Sequence, residues 1–184
     1  MVSAVSAESL SRELRDIKGR TEELINGLAS EQLGRRPDAD TWCIAECLAH
    51  LNLTARAVQP MIEQSVERGR QQQITGTGPF APGVMGGFLT WFAEPPPKLR
   101  IRARKNVAPR RMEAGDICRV VPEFWRLHAE WERLVRASDG LDLARITTRP
   151  FPGAPVCRVA GTFSWMVAHE RRHLAQAENV KKRL

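Results

Sequence analysis

The sequence predicts an all-α protein, a four-helix bundle in up-down-down-up order with a long crossover between helices two and three. Three observations lead there. Apolar residues recur at helical intervals in four separate segments. The 184 residues, 42% of them hydrophobic, suffice for one domain (1–184) with a real core and are too few for two. About 45 residues rich in Gly and Pro separate the second helical segment from the third. Short loops join antiparallel neighbours, whereas so long a connection lets two sequential helices run parallel.

The first segment, 7–29, carries Leu10, Leu14, Ile17, Leu24 and Leu28 with charges between them, an amphipathic helix that includes Gly19. Gly34 and Pro37 then break the pattern. The second, 42–70, aligns Ile44, Leu48, Leu51, Ala55, Val58 and Ile62 on one stripe, and Pro60 is expected to bend it. Residues 74–97 form an irregular connection in which an apolar piece, 84–92, makes a helical turn or two. Leu99, Ile101 and Ala103 then alternate with Arg, a pattern fitting a short extended stretch or a loop. The third helix fits 116–137, with Asp116 as its cap and Pro122 in an early turn. After a Pro-containing loop, the fourth runs from Thr162 almost to the end, with Lys181, Lys182 and Arg183 at its negative C-terminal pole.

The net charge of +7 is concentrated: Lys98, Arg100, Arg102, Arg104, Lys105, Arg110 and Arg111 lie in 98–111 without one acidic residue. Such a segment can grip phosphate or serve anionic small substrates. No aromatic interleaves with these charges to stack on bases, so a solvated connection is expected rather than a nucleic-acid interface. No signal-like or membrane-spanning apolar run occurs, and the expectation is a cytoplasmic protein without a membrane partner. Without a secretory signal, Cys43, Cys47, Cys118 and Cys157 read as buried free thiols. The alternative for two of them is a C-x3-C-x2-H zinc site with His50, whose spacing is not a usual zinc-finger pattern.

Four histidines exist, and His169 and His173 stand one helical turn apart on one face, about 6 Å along the axis. Two imidazoles so placed can meet one metal ion, or can be a surface coincidence. The string H169-E-R-R-H173 matches the zincin pattern HExxH, in which Glu170 would be the general base. That reading lacks a third ligand. Glu178 lies about 140° around the helix from His173, and a metzincin's further His is Asn179 here. The third ligand must come from upstream. His50, beside the stripe of helix two, is the first candidate; His128 competes, with a hydrogen-bonded structural role as its alternative.

The segment R36-P-D-A-D-T-W42-C-I-A-E46-C-L-A-H50-L51 resembles the W-S/T-x-x-E-x-x-x-H-L pattern of the DinB/YfiT-like family, and H169-E-R-R-H173-L-A-Q176 resembles its closing H-x-x-x-H-x-x-Q. With the helix spacing, the resemblance covers most of the chain. It implies a divalent metal, Zn or Ni, at His50, His169 and His173, with an open position for water or substrate. Gln176 is placed to hydrogen-bond a ligand or water from behind, or to serve as an interfacial Gln. One departure is Cys43 in place of Ser or Thr: a thiol is a poor partner for Glu46 in a capping box, so Thr41 is the expected N-cap. Glu46 then reads as a cap or surface residue.

Three neutral ligands leave a divalent ion its full charge, which lowers the pKa of a bound water or thiol. Water leads to hydrolysis; a thiol leads to S-transfer. Similar DinB-like enzymes include thiol-dependent S-transferases and maleylpyruvate isomerases, so the resemblance implies a low-molecular-weight thiol cofactor and an electrophilic small-molecule substrate. The competing reading is a non-catalytic, stress-related homodimer with a structural metal, for which helix faces carrying Trp91 or Trp125 would supply the interface.

Overall fold

The structure, a computed structural model, describes residues 2–96, 107–151 and 153–184. Long helices occupy the four expected segments: α1 (Ala7–Ile25), α3 (Ile44–Gln71), α5 (Ala114–Ala137) and α6 (Val159–Lys181). Two shorter ones, α2 (Ser30–Gly34) and α4 (Gly83–Ala93), stand in the connections, and β1 (Thr147–Thr148) pairs antiparallel with β2 (Cys157–Arg158).

Polar pairs between helices set their directions. Arg20 meets Glu178 and Lys181 donates to the Leu24 carbonyl, so α1 and α6 run parallel. The Asn52 amide donates to the Val120 carbonyl and Gln59 to that of Leu127, equal steps along both chains that make α3 parallel to α5. His50 pairs with His169 while Trp42, just before α3, stacks on His173, so α6 opposes α3; with α1 parallel to α6 and α3 parallel to α5, α5 opposes α1. The order is up, down, down, up.

Several boundaries differ from expectation for local reasons. α1 stops at Ile25 because Gly27 takes a left-handed φ of 74°, which glycine adopts without steric cost. Cys43, not Thr41, caps α3: its Sγ accepts from the Glu46 N–H at 3.4 Å, and Glu46 accepts from the Cys43 N–H at 2.9 Å. The thiol completes a capping box after all. Glu46 is therefore a cap, but a buried one and not a surface residue, held by the Arg36 guanidinium at 2.9 Å. Asp116 is not the cap of α5; Glu113 is, and Asp116 sits in the first turn, paired with Arg110 at 2.8 Å. Pro122 consequently lies well inside α5 and not in an early turn. The basic residues of 98–106 and the alternation at Leu99, Ile101 and Ala103 lie outside the described residues.

α4 is a full helix where a turn or two was expected, and it docks on the start of α6 through glycines. A Cβ on Gly161 would fall 2.4 Å from the Pro82 carbonyl oxygen, and one on Gly86 2.4 Å from the Gly161 Cα. The two backbones pack at a separation that admits no side chain. Arg171 then fastens the far end of α4 by pairing with both Glu94 and Glu13.

The apolar interior falls into two clusters. One gathers Leu14, Val58, Leu127, Trp131 and Phe163; the other gathers Leu24, Leu48, Phe124, Leu174 and Val180. On all four long helices the break between them falls at one level, marked by the buried polar residues Thr21, Asn52, Thr54, His128, Glu170 and His173. The bundle thus has a polar waist, and the three candidate ligands stand at it. Of the cysteines, Cys43, Cys47 and Cys157 are buried as expected, while Cys118 is exposed; all four are free. Among the described residues, no helix is long and apolar enough to cross a membrane.

The glycine contacts fix the sign of two substitutions. Gly161→Ala should destabilise the protein by about 1–3 kcal/mol, since overpacking here meets backbone and not a flexible side chain. Gly19→Ala, with nothing near its Cβ in the middle of α1, should stabilise by about 0.5–1 kcal/mol. Urea unfolding of both variants measures this; equal midpoints would show that α4 does not lean on Gly161.

Candidate metal centre

His50 projects from the second turn of α3, whose start is held by the Cys43–Glu46 box and by Arg36. His169 and His173 project from α6 toward it. The structure brings the three together: one ring nitrogen of each lies within 4.8 Å of the others. His50 Nε2 and His169 Nε2 are 3.1 Å apart, and ring centroids are separated by 4.4–5.0 Å. Two ligands on one Zn at about 2.0–2.1 Å stand about 3.3 Å apart in tetrahedral geometry, so the closest pair already has ligand spacing.

Partners behind the rings set the tautomers. His50 Nδ1 is 2.7 Å from the Val107 carbonyl oxygen, which can only accept, so Nδ1 carries the proton and the Nε2 lone pair faces the cluster. His173 Nδ1 stands 3.1 Å from Gln176 Oε1 and is fixed in the same sense. Gln176 thus contacts the ring of a candidate ligand.

Electrostatics keep the rings neutral. Burial pushes His50 below the usual histidine range. Burial and the neighbouring His50 take His173 down to about 3. His169 lies well below its ordinary value, first through burial and then through the nearby His173 and His50. Aromatic rings flank the cluster. Trp42 stands 5.2 Å from His50 and stacks on His173 at 6.0 Å, and Trp165 stacks on His169 at 5.2 Å.

The competing residues go elsewhere. His128 is buried, with Nε2 3.0 Å from the Leu14 carbonyl and Nδ1 3.5 Å from Glu170 Oε2. Burial lowers its pKa, but Glu170 and the Leu14 carbonyl outweigh this and the net shift is upward. Glu170, the base of the HExxH reading, faces His128 and not the cluster. Glu178 pairs with Arg20 on the surface. Cys43 serves the α3 cap, with burial pushing its thiol up to about 11, and burial raises Cys47 further still. Neither belongs to the ligand cluster, which among the described residues contains His50, His169 and His173 alone. Sequence reasoning missed Trp165, one turn before His169, although its helical spacing carried that signal. It also missed the Val107 carbonyl, for which a backbone contact from the long crossover leaves no signal.

A family model described as the DinB superfamily matches residues 13–177. The uncharacterized protein YuaE of Bacillus subtilis (strain 168) is similar, at 25% identity over 164 residues covering 87% of this chain and 90% of that protein. No solved structure matches the chain. With the match running from within α1 to within α6 and covering both candidate motifs, the chain belongs to the DinB superfamily.

Proposed function

We propose that this chain is a divalent-metal-dependent enzyme, with His50, His169 and His173 as ligands to Zn or Ni and thiol S-transfer as the reaction. The observation that carries the metal reading is the neutral triad: three imidazoles held deprotonated by burial, two with their tautomers fixed so that Nε2 lone pairs converge. Unprotonated imidazole nitrogens crowded together in a buried site are unfavourable neighbours unless a cation or proton lies between them. Association of DinB-like proteins with metals supports the same reading. Bound there, a divalent ion would supply Lewis acidity, lowering the pKa of a thiol or water at its open position.

The chain's own residues prepare that position. The Val107 carbonyl and Gln176 orient two ligands, and Trp42 and Trp165 wall the cluster with apolar surface that limits water. Glu170, the carboxylate adjacent to the ligands in sequence, faces His128 and is not placed to act as a base at that position. In thiol transfer the thiol would lose its proton to solvent, a C–S bond would form, and the electrophile's leaving group would depart. The resemblance to thiol-dependent DinB-like enzymes is what favours the thiol reading over hydrolysis. The small-molecule substrate is then an electrophile, and homodimerisation is a further element of the proposal.

Untagged protein should carry about one Zn or Ni per chain, and His50→Ala or His173→Ala should lower metal affinity by at least about 10-fold. Elemental analysis with metal titration checks this. Thiol-dependent consumption of a chlorinated aromatic should follow the same variants; turnover unchanged by them removes the catalytic role. The metal-free protein should also lose stability in acid. The triad's folded pKa values lie below the ordinary 6.5, so the unfolded chain binds more protons as pH falls through 6.5. Their contribution is full above that value and is lost below it, by up to about 1.4 kcal/mol per pH unit for each histidine. His128, shifted upward, acts oppositely and only above 6.5. Urea midpoints of metal-free protein should therefore fall from about pH 7.5 to about pH 5; equal midpoints contradict neutral buried imidazoles.

A further inference from the structure

The His128–Glu170 pair is buried in the bundle interior and takes no part in the chemistry proposed above. Both residues are more than nine-tenths buried, with 2% and 4% of their surfaces exposed. His128 Nε2 is hydrogen-bonded to the Leu14 carbonyl on α1, and its Nδ1 faces Glu170 Oε2 on α6 at 3.5 Å, each of these two buried atoms having no hydrogen-bond partner among the described residues, so the pair brings three helices together at the polar waist. Glu170 adjoins His169 in sequence, and one residue turns a helix by about 100°. Fixing Glu170 against His128 therefore fixes the direction in which His169 and His173 leave α6.

We propose that His128 and Glu170 are positioning residues that set the rotation of α6, and thereby hold His169 and His173 in register with His50. The inference rests on the metal reading of the triad. Its force comes from a difference in tolerance. A metal site accepts ligand distances within about 0.2 Å. At the outer radius of a helix, about 5–6 Å, a rotation of only about 20° moves a side-chain tip by about 2 Å. Apolar contacts at this level are poor guides to rotation. Between Ala168 and Ala177, the core-facing apolar side chains of α6 are those two alanines and Leu174. Alanines slide with little change in buried area, whereas two buried polar side chains that face one another part if either helix turns.

The pair's effect on the site can be separated from its effect on stability, because replacing both members of a buried polar pair by apolar residues of similar shape is often nearly neutral for folding. The double variant His128→Leu/Glu170→Leu should keep the helical content and urea midpoint of the metal-free wild type. Its Zn and Ni affinity, by titration calorimetry, should fall by at least about 10-fold. The visible d–d absorption of Co-loaded protein should also change, reporting altered ligand geometry that a purely structural role would leave alone. The single variant Glu170→Gln, which keeps shape and removes charge, should weaken metal binding as well, and decides the matter if the double variant does not fold. Wild-type affinity and an unchanged Co spectrum in either folded variant overturn the inference and leave the metal reading standing. Wild-type protein that binds neither Zn nor Ni overturns both.

Discussion

The structure turns on a polar layer buried across the middle of a four-helix bundle. A core of this length could have been apolar throughout; instead its two hydrophobic clusters are parted by Thr21, Asn52, Thr54, His128, Glu170 and His173. Polar groups at such depth are costly unless each finds a partner. The threonines answer locally, Thr21 and Thr54 returning to the carbonyls one turn earlier. Asn52 donates across to α5 although its Oδ1 has no hydrogen-bond partner among the described residues, and His128 bonds to α1 while its Nδ1 faces Glu170 on α6 at 3.5 Å. The histidine cluster is what this layer presents at its α3–α6 edge. Nothing in helix propensity calls for such a layer, and its placement against a triad of neutral imidazoles is what gives the functional reading its weight.

The long crossover is the second necessity. It sends α4 onto α6 through Gly86 and Gly161, ties its end to Arg171, and returns to the bundle where the Val107 carbonyl meets His50. One connection therefore supports α6, which carries two candidate ligands, and fixes the tautomer of the third. The metal reading thus depends on α4 and Val107 as much as on the long helices.

Much of this was legible in the sequence. Leu10, Leu14 and Ile17, and Ile44, Leu48, Leu51 and Ala55, are buried where their spacing put them, because periodic burial is what an amphipathic helix is. His169 and His173 share a face by spacing alone, and Gln176 extends it. The HExxH match misled only in form: Glu170 lies on the same stripe as Leu174 and Ala177, so helical geometry turns it toward the core and away from the cluster. Other features had weak signals or none. The competence of Cys43 as an N-cap depends on a burial that makes even a thiol acceptor worth using. The length of α4 defied its glycines because docking on α6 overrides propensity. The choice of His50 over His128 came down to which side of α6 each helix faces, a tertiary fact.

The central claim is that His50, His169 and His173 hold one divalent metal ion. Anomalous diffraction at the Zn and Ni edges, from crystals of untagged protein, tests it most directly. The account predicts a single strong peak about 2.0–2.1 Å from one nitrogen of each of the three rings. Crystals with no anomalous peak at the triad, or with a metal bound at the cysteines instead, would contradict it.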